Sequence, residues 1–538
     1  MKTLWIPFTL LLLNLSQSSG GKILVFPVES SHWINMLKIL EVLHAKGHEI
    51  TVLRMSPSRD IKESPLYTCI DVSTYSQRGL AVFVSRQLEI RFQTDPNSFW
   101  SRMWANIQMR SLMVERFGIL HQQVGNVTVQ ILEDKDLIQR LRDARYDVLL
   151  TDPINGGGTI LAKYLQLPLV YNVRWTVLGE AHFVLAPSPL SYVPGTFTEL
   201  TDKMTFLQRV KNCMIFILGT YTRSAISEPV YKPILKKYFG PDVDYTAFFS
   251  DADIWLMRND FIFEYPRPTM PNVVYMSGFQ CKPPKALPDD LEEFVQSSGN
   301  HGVVLMSLGT IVSKLPAHIT EEIAAAFAQL PQKVIWRYLG KRPANLGNNT
   351  LLVEWFPQND LLGHPKTRVF VAHGGTNGVQ EAIYHGVPII GVPIFFDQPE
   401  NLSRLKSKGG AVMLDIEALD RQVLGDALKT VLNEASYTNN MKRLSRLHRD
   451  QPLSPMDQAV FWIEFVIRHK GASHLKSHSV TLSWAAYHSL DVIAALLSTC
   501  LLFMWTFVYV GRYLCRKIFV RNKIKQVVAT HQSSHTDH

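Results

Sequence analysis

Short apolar runs alternate with helical patterns in the first part of the chain. Residues 22–28 and 49–55 are apolar runs, and between them apolar positions recur at helical spacing from residue 36 to residue 43. Runs of this length are typical of parallel strands that are covered on both faces. The order strand, helix, strand predicts a βαβ unit, and the runs at 147–151 and 169–173 predict further strands.

The same alternation returns in the second part of the chain. A strand is predicted from residue 302, a helix at 321–330, and further strands at 333–338, 368–372 and 388–393. The intervening segment 281–288 is rich in proline and lysine, which is typical of an exposed connector. The chain is therefore expected to be α/β, with two Rossmann-like domains at 21–285 and 286–440 that face a cleft. Ligands of such sheets bind at the carboxyl ends of the strands.

Longer apolar segments lie near both ends. Residues 4–15 follow Lys2 and precede small residues, which predicts a signal peptide over 1–20. Residues 492–510 carry no charge and span roughly 28 Å as a helix, close to the thickness of a bilayer core. Basic residues follow, so a transmembrane helix is favoured over a buried core helix. The tail 511–538 is then expected in the cytosol, and residues 441–491 are expected to form returning helices and a juxtamembrane segment.

Composition and charge narrow the choice of function. Hydrophobic residues make up 46% of the chain and charged residues 19%, which are ordinary values for globular domains. Six basic residues and one acidic residue lie after residue 510, so +5 of the net charge of +9 belongs to the tail. No nucleic-acid partner is therefore expected. Five isolated cysteines argue against a disulfide scaffold or a zinc site, although one lumenal disulfide stays open.

A glycine-rich turn follows the predicted strand 368–372. Gly374, Gly375 and Gly378 lie where this strand turns into a helix, and the backbone N–H groups at the start of a helix bind anions such as a diphosphate. Many Rossmann-like proteins share such a turn. The whole stretch from Trp355 to Gln398, WFPQNDLLGHPKTRVFVAHGGTNGVQEAIYHGVPIIGVPIFFDQ, is far more specific.

This stretch closely resembles the signature of the UDP-glycosyltransferase family, in particular its vertebrate UDP-glucuronosyltransferase branch. The likeness extends over nearly the entire chain, from SHW at 31–33 to YHSLDV at 487–492. It implies a GT-B type glycosyltransferase anchored by one C-terminal transmembrane helix. It also implies an enzyme of the endoplasmic-reticulum membrane whose catalytic domains are lumenal, so the sequon at Asn126 or Asn348 could carry a glycan.

The resemblance implies a donor site for a UDP-sugar and no metal or further cofactor. Trp355 would stack on uracil, Gln358 would bind the base and Glu381 the ribose hydroxyls. Asp397 and Gln398 would bind the sugar hydroxyls. The diphosphate would be held by Ser307, His373, Gly375, Thr376, Asn377 and Gly378. The sequon asparagine Asn401 would lie in the sugar pocket without a glycan, and Phe396 stands where the family has a glycine.

The acceptor hydroxyl must lose its proton during transfer, and histidine is the side chain suited to that near neutral pH. His32 follows the first strand and is expected to face the cleft. Taken alone, it could equally be a structural capping residue. The resemblance matches His32 to the histidine of the family's SHW motif and Asp152 to the carboxylate that pairs with it, so the two are expected to form a catalytic dyad.

The donor sugar is expected to be glucuronic acid. Arg258 resembles an arginine of the glucuronosyltransferase branch and would meet the sugar carboxylate, although a rim arginine is the alternative. UDP-glucose, UDP-N-acetylglucosamine and UDP-xylose are the alternative donors.

The acceptor is expected to be a small lipophilic molecule. Aromatic residues of the first domain could line its pocket, although most of them are expected in the core: Phe83, Phe92, Phe99, Trp100, Trp104 and Phe117. A catalytically inactive, membrane-anchored small-molecule binder and a hydrolysing epimerase are the alternative functions. Homo-oligomers, or hetero-oligomers with related transferases, are also possible.

Overall fold

The computed structural model describes residues 20–73, 79–95, 97–309 and 315–533, so the predicted signal peptide lies outside the described residues except for Gly20. Two parallel sheets organise the chain up to Lys476. The residues from Ser477 onward form a second unit.

The first sheet has seven strands in the order β3-β2-β1-β4-β5-β8-β9, and every neighbouring pair is parallel. Its central strands are buried on both faces, which explains their uninterrupted apolar sequences. A separate antiparallel pair, β6 and β7, follows β5. The nine strands of this half are β1 (Lys22–Phe26), β2 (Glu49–Met55), β3 (Thr68–Ser73), β4 (Val148–Thr151), β5 (Leu169–Val173), β6 (Trp175–Thr176), β7 (Gly179–Glu180), β8 (Ile254–Met257) and β9 (Val273–Tyr275).

In the described part of this half, the helices are α1 (Ser31–Ala45), α2 (Gly79–Phe92), α3 (Phe99–Glu133), α4 (Lys135–Asp143), α5 (Gly157–Tyr164), α6 (Ala181–Leu185), α7 (Phe206–Phe239) and α8 (Tyr245–Ser250). The two long helices α3 and α7 pack against each other. Each has a side-chain cap at its start: Ser98 accepts from the N–H of Ser101, and Thr205 forms a capping box with Gln208.

The second sheet has six parallel strands in the order β12-β11-β10-β13-β14-β15. Its strands are β10 (Val303–Ser307), β11 (Lys333–Arg337), β12 (Thr350–Val353), β13 (Thr367–Ala372), β14 (Ile389–Gly391) and β15 (Ala411–Met413). Its helices are α9 (Asp289–Gln296), α10 (Ala317–Ala328), α11 (Gln358–Leu362), α12 (Thr376–His385), α13 (Gln398–Ser407), α14 (Arg421–Asn433) and α15 (Ala435–Arg449).

The next helix returns the chain to the first half. Helix α16 (Pro455–His469) packs against α1 and β8 and buries Ala459, Val460 and Ile463 in the core of the first sheet. The chain therefore crosses between the halves at two places, after β9 and before α16.

The strand order reverses once in each sheet, between β1 and β4 and between β10 and β13. Loops that leave two such strands diverge to opposite faces and open a crevice at their carboxyl ends. His32 lies after β1, and Asp152 lies after β4. In the second half, Ser307 is the last residue of β10, and His373 lies after β13. The predicted chemistry therefore belongs to the two crevices of the fold.

The second unit contains α17 (Trp484–Tyr487) and the 44-residue helix α18 (Leu490–Ser533). Within its segment Leu490–Ala529, an 18-residue window has a mean hydropathy of 2.1 and no buried residues, so the helix is long and apolar enough to cross a membrane. The helix begins two residues before the predicted span and continues beyond it.

Candidate active site

A cavity of about 1060 Å³ lies between the two halves. Both halves contribute to its wall. Every predicted site residue except Asp152 and Glu381 lines it: His32, Arg258, Ser307, Trp355, Gln358, His373, Gly375, Thr376, Asn377, Gly378, Asp397 and Gln398. Asp152 and Glu381 lie behind this wall and hydrogen-bond to lining residues.

The predicted dyad is in contact. His32 Nδ1 lies 2.6 Å from Asp152 Oδ2. Asp152 is 1% exposed and its other oxygen accepts a hydrogen bond from the Ile154 N–H, so the carboxylate has one orientation. Because Asp152 engages Nδ1, Nε2 is the ring nitrogen that can accept a proton from a molecule in the cavity.

Arg258 contacts both residues of the dyad. Its guanidinium donates to Asp152 Oδ2 at 3.2 Å, and the same nitrogen lies 3.2 Å from His32 Nδ1. Burial lowers the pKa of Arg258, and the charge of Asp152 opposes that shift. At 5% exposure Arg258 is not a rim arginine, and it already has a carboxylate partner inside the protein, while its contact with the sugar carboxylate stays a prediction.

The glycine-rich turn has the conformation that its sequence suggests. Gly374 has φ of 85°, which favours glycine, and a Cβ on Gly375 would lie 2.6 Å from the ring of His373. The turn thus brings the backbone and His373 close together at the start of α12. Burial lowers the pKa of His373 to about 4, so its ring is neutral near pH 7.

A polar cluster lies beside this turn, at the start of α13. Asp397 Oδ2 accepts from Thr376 Oγ1 at 2.8 Å and from Asn401 Nδ2 at 2.7 Å. Arg174, from the other half, approaches Asp397 at 3.4 Å and donates to Asn401 Oδ1 at 2.9 Å. Asn401 is fully buried within this cluster.

The predicted nucleoside-binding residues are Trp355, Gln358, at the start of α11, and Glu381, on α12. Gln358 donates to Glu381 at 2.6 Å, and burial raises the pKa of Glu381 to about 7. The Trp355 side chain is 72% exposed at the cavity wall, which leaves its ring face open for stacking.

Two asparagines join the halves directly. Asn35 on α1 donates to Asn377 at 3.2 Å, and Asn377 donates back to Asn35 at 3.1 Å. Each amide therefore uses both its donor and its acceptor across the cleft, one helical turn from His32.

Gln398 and Phe396 shape the loop after β14. The side-chain oxygen of Gln398 accepts from the backbone of Ile394 at 2.8 Å, which leaves its NH₂ group to donate. Phe396 has φ of 58° and stacks on Phe83, with ring centroids 5.6 Å apart, while its edge contacts Phe117. Its ring therefore packs against α2 and α3 at the cavity wall, in a backbone conformation that favours the glycine of the family pattern.

Comparison with known proteins identifies the fold's relatives. Residues 21–526 match the sequence model of the family described as UDP-glucoronosyl and UDP-glucosyl transferase. The chain belongs to this family. UDP-glucuronosyltransferase 2A3 of Mus musculus is 42% identical over 94% of both chains. UDP-glucuronosyltransferase 2B1 of Rattus norvegicus is 44% identical over 89% of this chain and 90% of its own length. The chain is thus a UDP-glycosyltransferase.

Solved structures place the transferase in the GT-B fold. The calicheamicin glycosyltransferase CalG4 superposes with a TM-score of 0.56 at 16% identity and covers 84% of this chain and 98% of its own. A UDP-glucosyltransferase from Polygonum tinctorium gives a TM-score of 0.55 at 14% identity, over 84% of this chain and 99% of its own. The predicted family and fold are confirmed.

Several wall residues of the transferase were not predicted. Arg174 follows β5 at the carboxyl edge of the first sheet, and Arg337 ends β11 in the second, where it donates to the Gly309 carbonyl at 2.5 Å. Their positions at strand ends were the available signal.

The aromatic stretch is divided between the cavity, the core and the surface. Of the six aromatics considered from the sequence, Phe117 lines the cavity, and Phe83 and Phe92 pack with the core of the second half. Phe99, Trp100 and Trp104 are exposed.

Proposed function

We propose that the protein transfers glucuronic acid from UDP-glucuronic acid to a hydroxyl group of small lipophilic acceptors. The observation that carries this proposal is the His32–Asp152 contact at the wall of a cavity that the glycine-rich turn also lines. A base and an anion-binding helix start thus face one space. The glucuronosyltransferase relatives support the choice of reaction.

In the proposed step, an acceptor hydroxyl oxygen attacks C1 of the sugar from the side of His32. The new C1–O bond forms as the bond from C1 to the phosphate oxygen breaks, and UDP leaves with that electron pair. His32 Nε2 takes the hydroxyl proton, and Asp152 stabilises the resulting imidazolium. The α-linked donor is inverted to a β-glucuronide.

The departing diphosphate would be met by the backbone N–H groups at the start of α12, with Ser307 and Thr376 beside them, and no resident metal or cofactor is invoked. Trp355, Gln358 and Glu381 would hold the nucleoside. Asp397 and the NH₂ group of Gln398 would bind sugar hydroxyls.

Two arginines are candidates for recognising the sugar carboxylate. Arg258 has the family resemblance, but its guanidinium is paired with Asp152. Arg174 lines the cavity and has longer ion pairs, with Asp397 at 3.4 Å and Glu264 at 3.8 Å, and its Nε is buried without a hydrogen-bond partner among the described residues. We therefore assign the carboxylate to Arg174 and a dyad-supporting role to Arg258.

The proposed reaction takes place on the lumenal side of the endoplasmic-reticulum membrane. The predicted signal peptide would bring the protein there, and α18 would anchor it. Basic residues crowd the C-terminal end of the apolar segment, which favours a cytosolic tail.

The test is donor and base dependence in one assay. Full-length protein in permeabilised microsomes is incubated with a phenol and each of a panel of radiolabelled UDP-sugars, and the labelled product is quantified. We expect label from UDP-glucuronic acid, and a loss of about two to four orders of magnitude in His32→Ala with little change in UDP affinity. If the product carried label only from UDP-glucose, UDP-xylose or UDP-N-acetylglucosamine, UDP-glucuronic acid would be refuted as the donor. UDP binding without any transfer would indicate the inactive binder.

A further inference from the structure

The wall that the first half contributes to the cavity contains a cation that the proposed reaction does not use. Arg223 lies on the long helix α7, is partly buried, and lines the cavity together with apolar side chains of α7 and α3 such as Phe216 and Met113. The sequence around Arg223 does not distinguish it from other basic residues, because helix α7 carries many of them.

Arg223 has few partners within the protein. Its guanidinium donates to the Thr220 hydroxyl one turn earlier, at 3.0 Å. Among the described residues, its Nε is buried without a hydrogen-bond partner, and no carboxylate forms an ion pair with it. By contrast, the lining arginines Arg91 and Arg258 each contact a carboxylate, at 3.1 and 3.2 Å.

The carboxylate that acts on Arg223 through space is engaged elsewhere. Glu180 attracts Arg223 through space, but its oxygens bind Arg267 at 3.0 Å and His182 at 2.9 Å. Burial lowers the pKa of Arg223, and the charge of Glu180 opposes that shift. Arg116 on α3 lines the same cavity and adds positive charge.

The chain makes room for this guanidinium. Gly179 has φ of 112°, and a Cβ placed there would lie 2.3 Å from Arg223 Nε. The same loop touches the dyad's own loop, because the Val177 N–H donates to the carbonyl of Pro153, the residue after Asp152, at 2.7 Å. The loop at 177–179 therefore contacts both Arg223 and the loop that follows Asp152.

We propose that Arg223 binds an anionic group, a carboxylate or sulfonate, on the acceptor, and so selects lipophilic acceptors that carry such a group at a distance from the hydroxyl that is glucuronidated. A partly buried cation that has no ion-pair partner among the described residues, in a wall with apolar side chains, is the complement of an anion on an apolar body. The inference rests on the proposed function and names its acceptor class.

The experiment compares a lipophilic phenol that bears a distal carboxylate with the primary amide of the same phenol. Full-length protein receives saturating UDP-glucuronic acid, and kcat/KM for the phenolic glucuronide is measured for both acceptors. We expect the parent to favour the acid by about thirtyfold or more, and Arg223→Met to bring the ratio near one, mainly through KM of the acid. Arg223→Lys should keep part of the preference. Arg209→Met, a change on the same helix outside the cavity, should keep all of it.

Each outcome is decisive. A parent that favours the amide, or a ratio that Arg223→Met leaves within about threefold of the parent, overturns the assignment even if that variant loses turnover on both acceptors. If Arg223→Met does not fold, the parent ratio and Arg223→Lys decide. Equal transfer to both phenols refutes only the role of Arg223. Absence of glucuronide from both phenols refutes the proposed function as well as the role of Arg223.

Discussion

Replacement of Arg258 by leucine separates two roles for one arginine. The guanidinium lies 3.2 Å from Asp152, and the two residues are 5% and 1% exposed. Removing one partner of a buried pair costs about 3–5 kcal/mol, because the remaining charge stays buried. If about 2 kcal/mol of this loss reaches the transition state, turnover falls about thirtyfold. Since the loss arises at the dyad, it should be the same for every donor.

The assay is kcat/KM for UDP-glucuronic acid and for UDP-glucose, with one phenol held fixed, in the parent and in Arg258→Leu. We expect both values to fall together, with their ratio within about threefold of the parent. Arg174→Met is the matched cavity variant, and it should shift the ratio about thirtyfold toward UDP-glucose. The thermal midpoint with and without UDP reports folding of each variant.

A loss in Arg258→Leu that is confined to UDP-glucuronic acid would refute this reasoning. It would mean that the guanidinium leaves Asp152 when the donor binds, and would restore the carboxylate-binding role that the family resemblance implies. An unchanged ratio in Arg174→Met would leave the sugar carboxylate without a recognised partner.

Three further changes test other parts of the site. Asp152→Asn should lower turnover by about two to four orders of magnitude in single-turnover assays, and a rate within about threefold of the parent would remove the carboxylate from the mechanism. Because burial raises the pKa of Glu381 to about 7, its carboxylate ionises as the pH rises through that value, so UDP affinity measured by calorimetry should increase between about pH 6 and about pH 8. Glu381→Gln should abolish that dependence, and a parent affinity that does not change with pH would contradict it. Phe396→Gly should lower the thermal midpoint of unfolding. Losing the contacts with Phe83 and Phe117 costs about 2 kcal/mol, whereas relief of the positive φ returns about 1 kcal/mol. An unchanged midpoint would show that the ring contributes nothing to stability.

The two α/β halves were predictable because parallel strands buried on both faces leave continuous apolar runs, as at β1, β4 and β10. The contact between His32 and Asp152 followed from the same logic together with the family motif. Both residues leave neighbouring strands at the point where the strand order reverses.

Partners that depend on packing between distant segments were not predictable. The pairing of Arg258 with Asp152 requires residues 106 positions apart to meet in the interior. Likewise Arg174 reaches Asp397 across the cleft, and Asn35 reaches Asn377. No period or local motif marks such contacts, because each is decided by how the two sheets face each other.

The Asn35–Asn377 pair gives the two halves a contact that is electrically neutral. Two amides that each give and receive one hydrogen bond have no charge to titrate and none for salt to screen, so this contact should hold equally at any physiological pH or ionic strength. It is also self-complementary in a way that a carboxylate cannot imitate, because an aspartate at either position would set oxygen against oxygen. This contact links α1, one helical turn from His32, to the start of α12 without a charged group, whereas Arg174 and Asp397 make a charged contact across the same cleft.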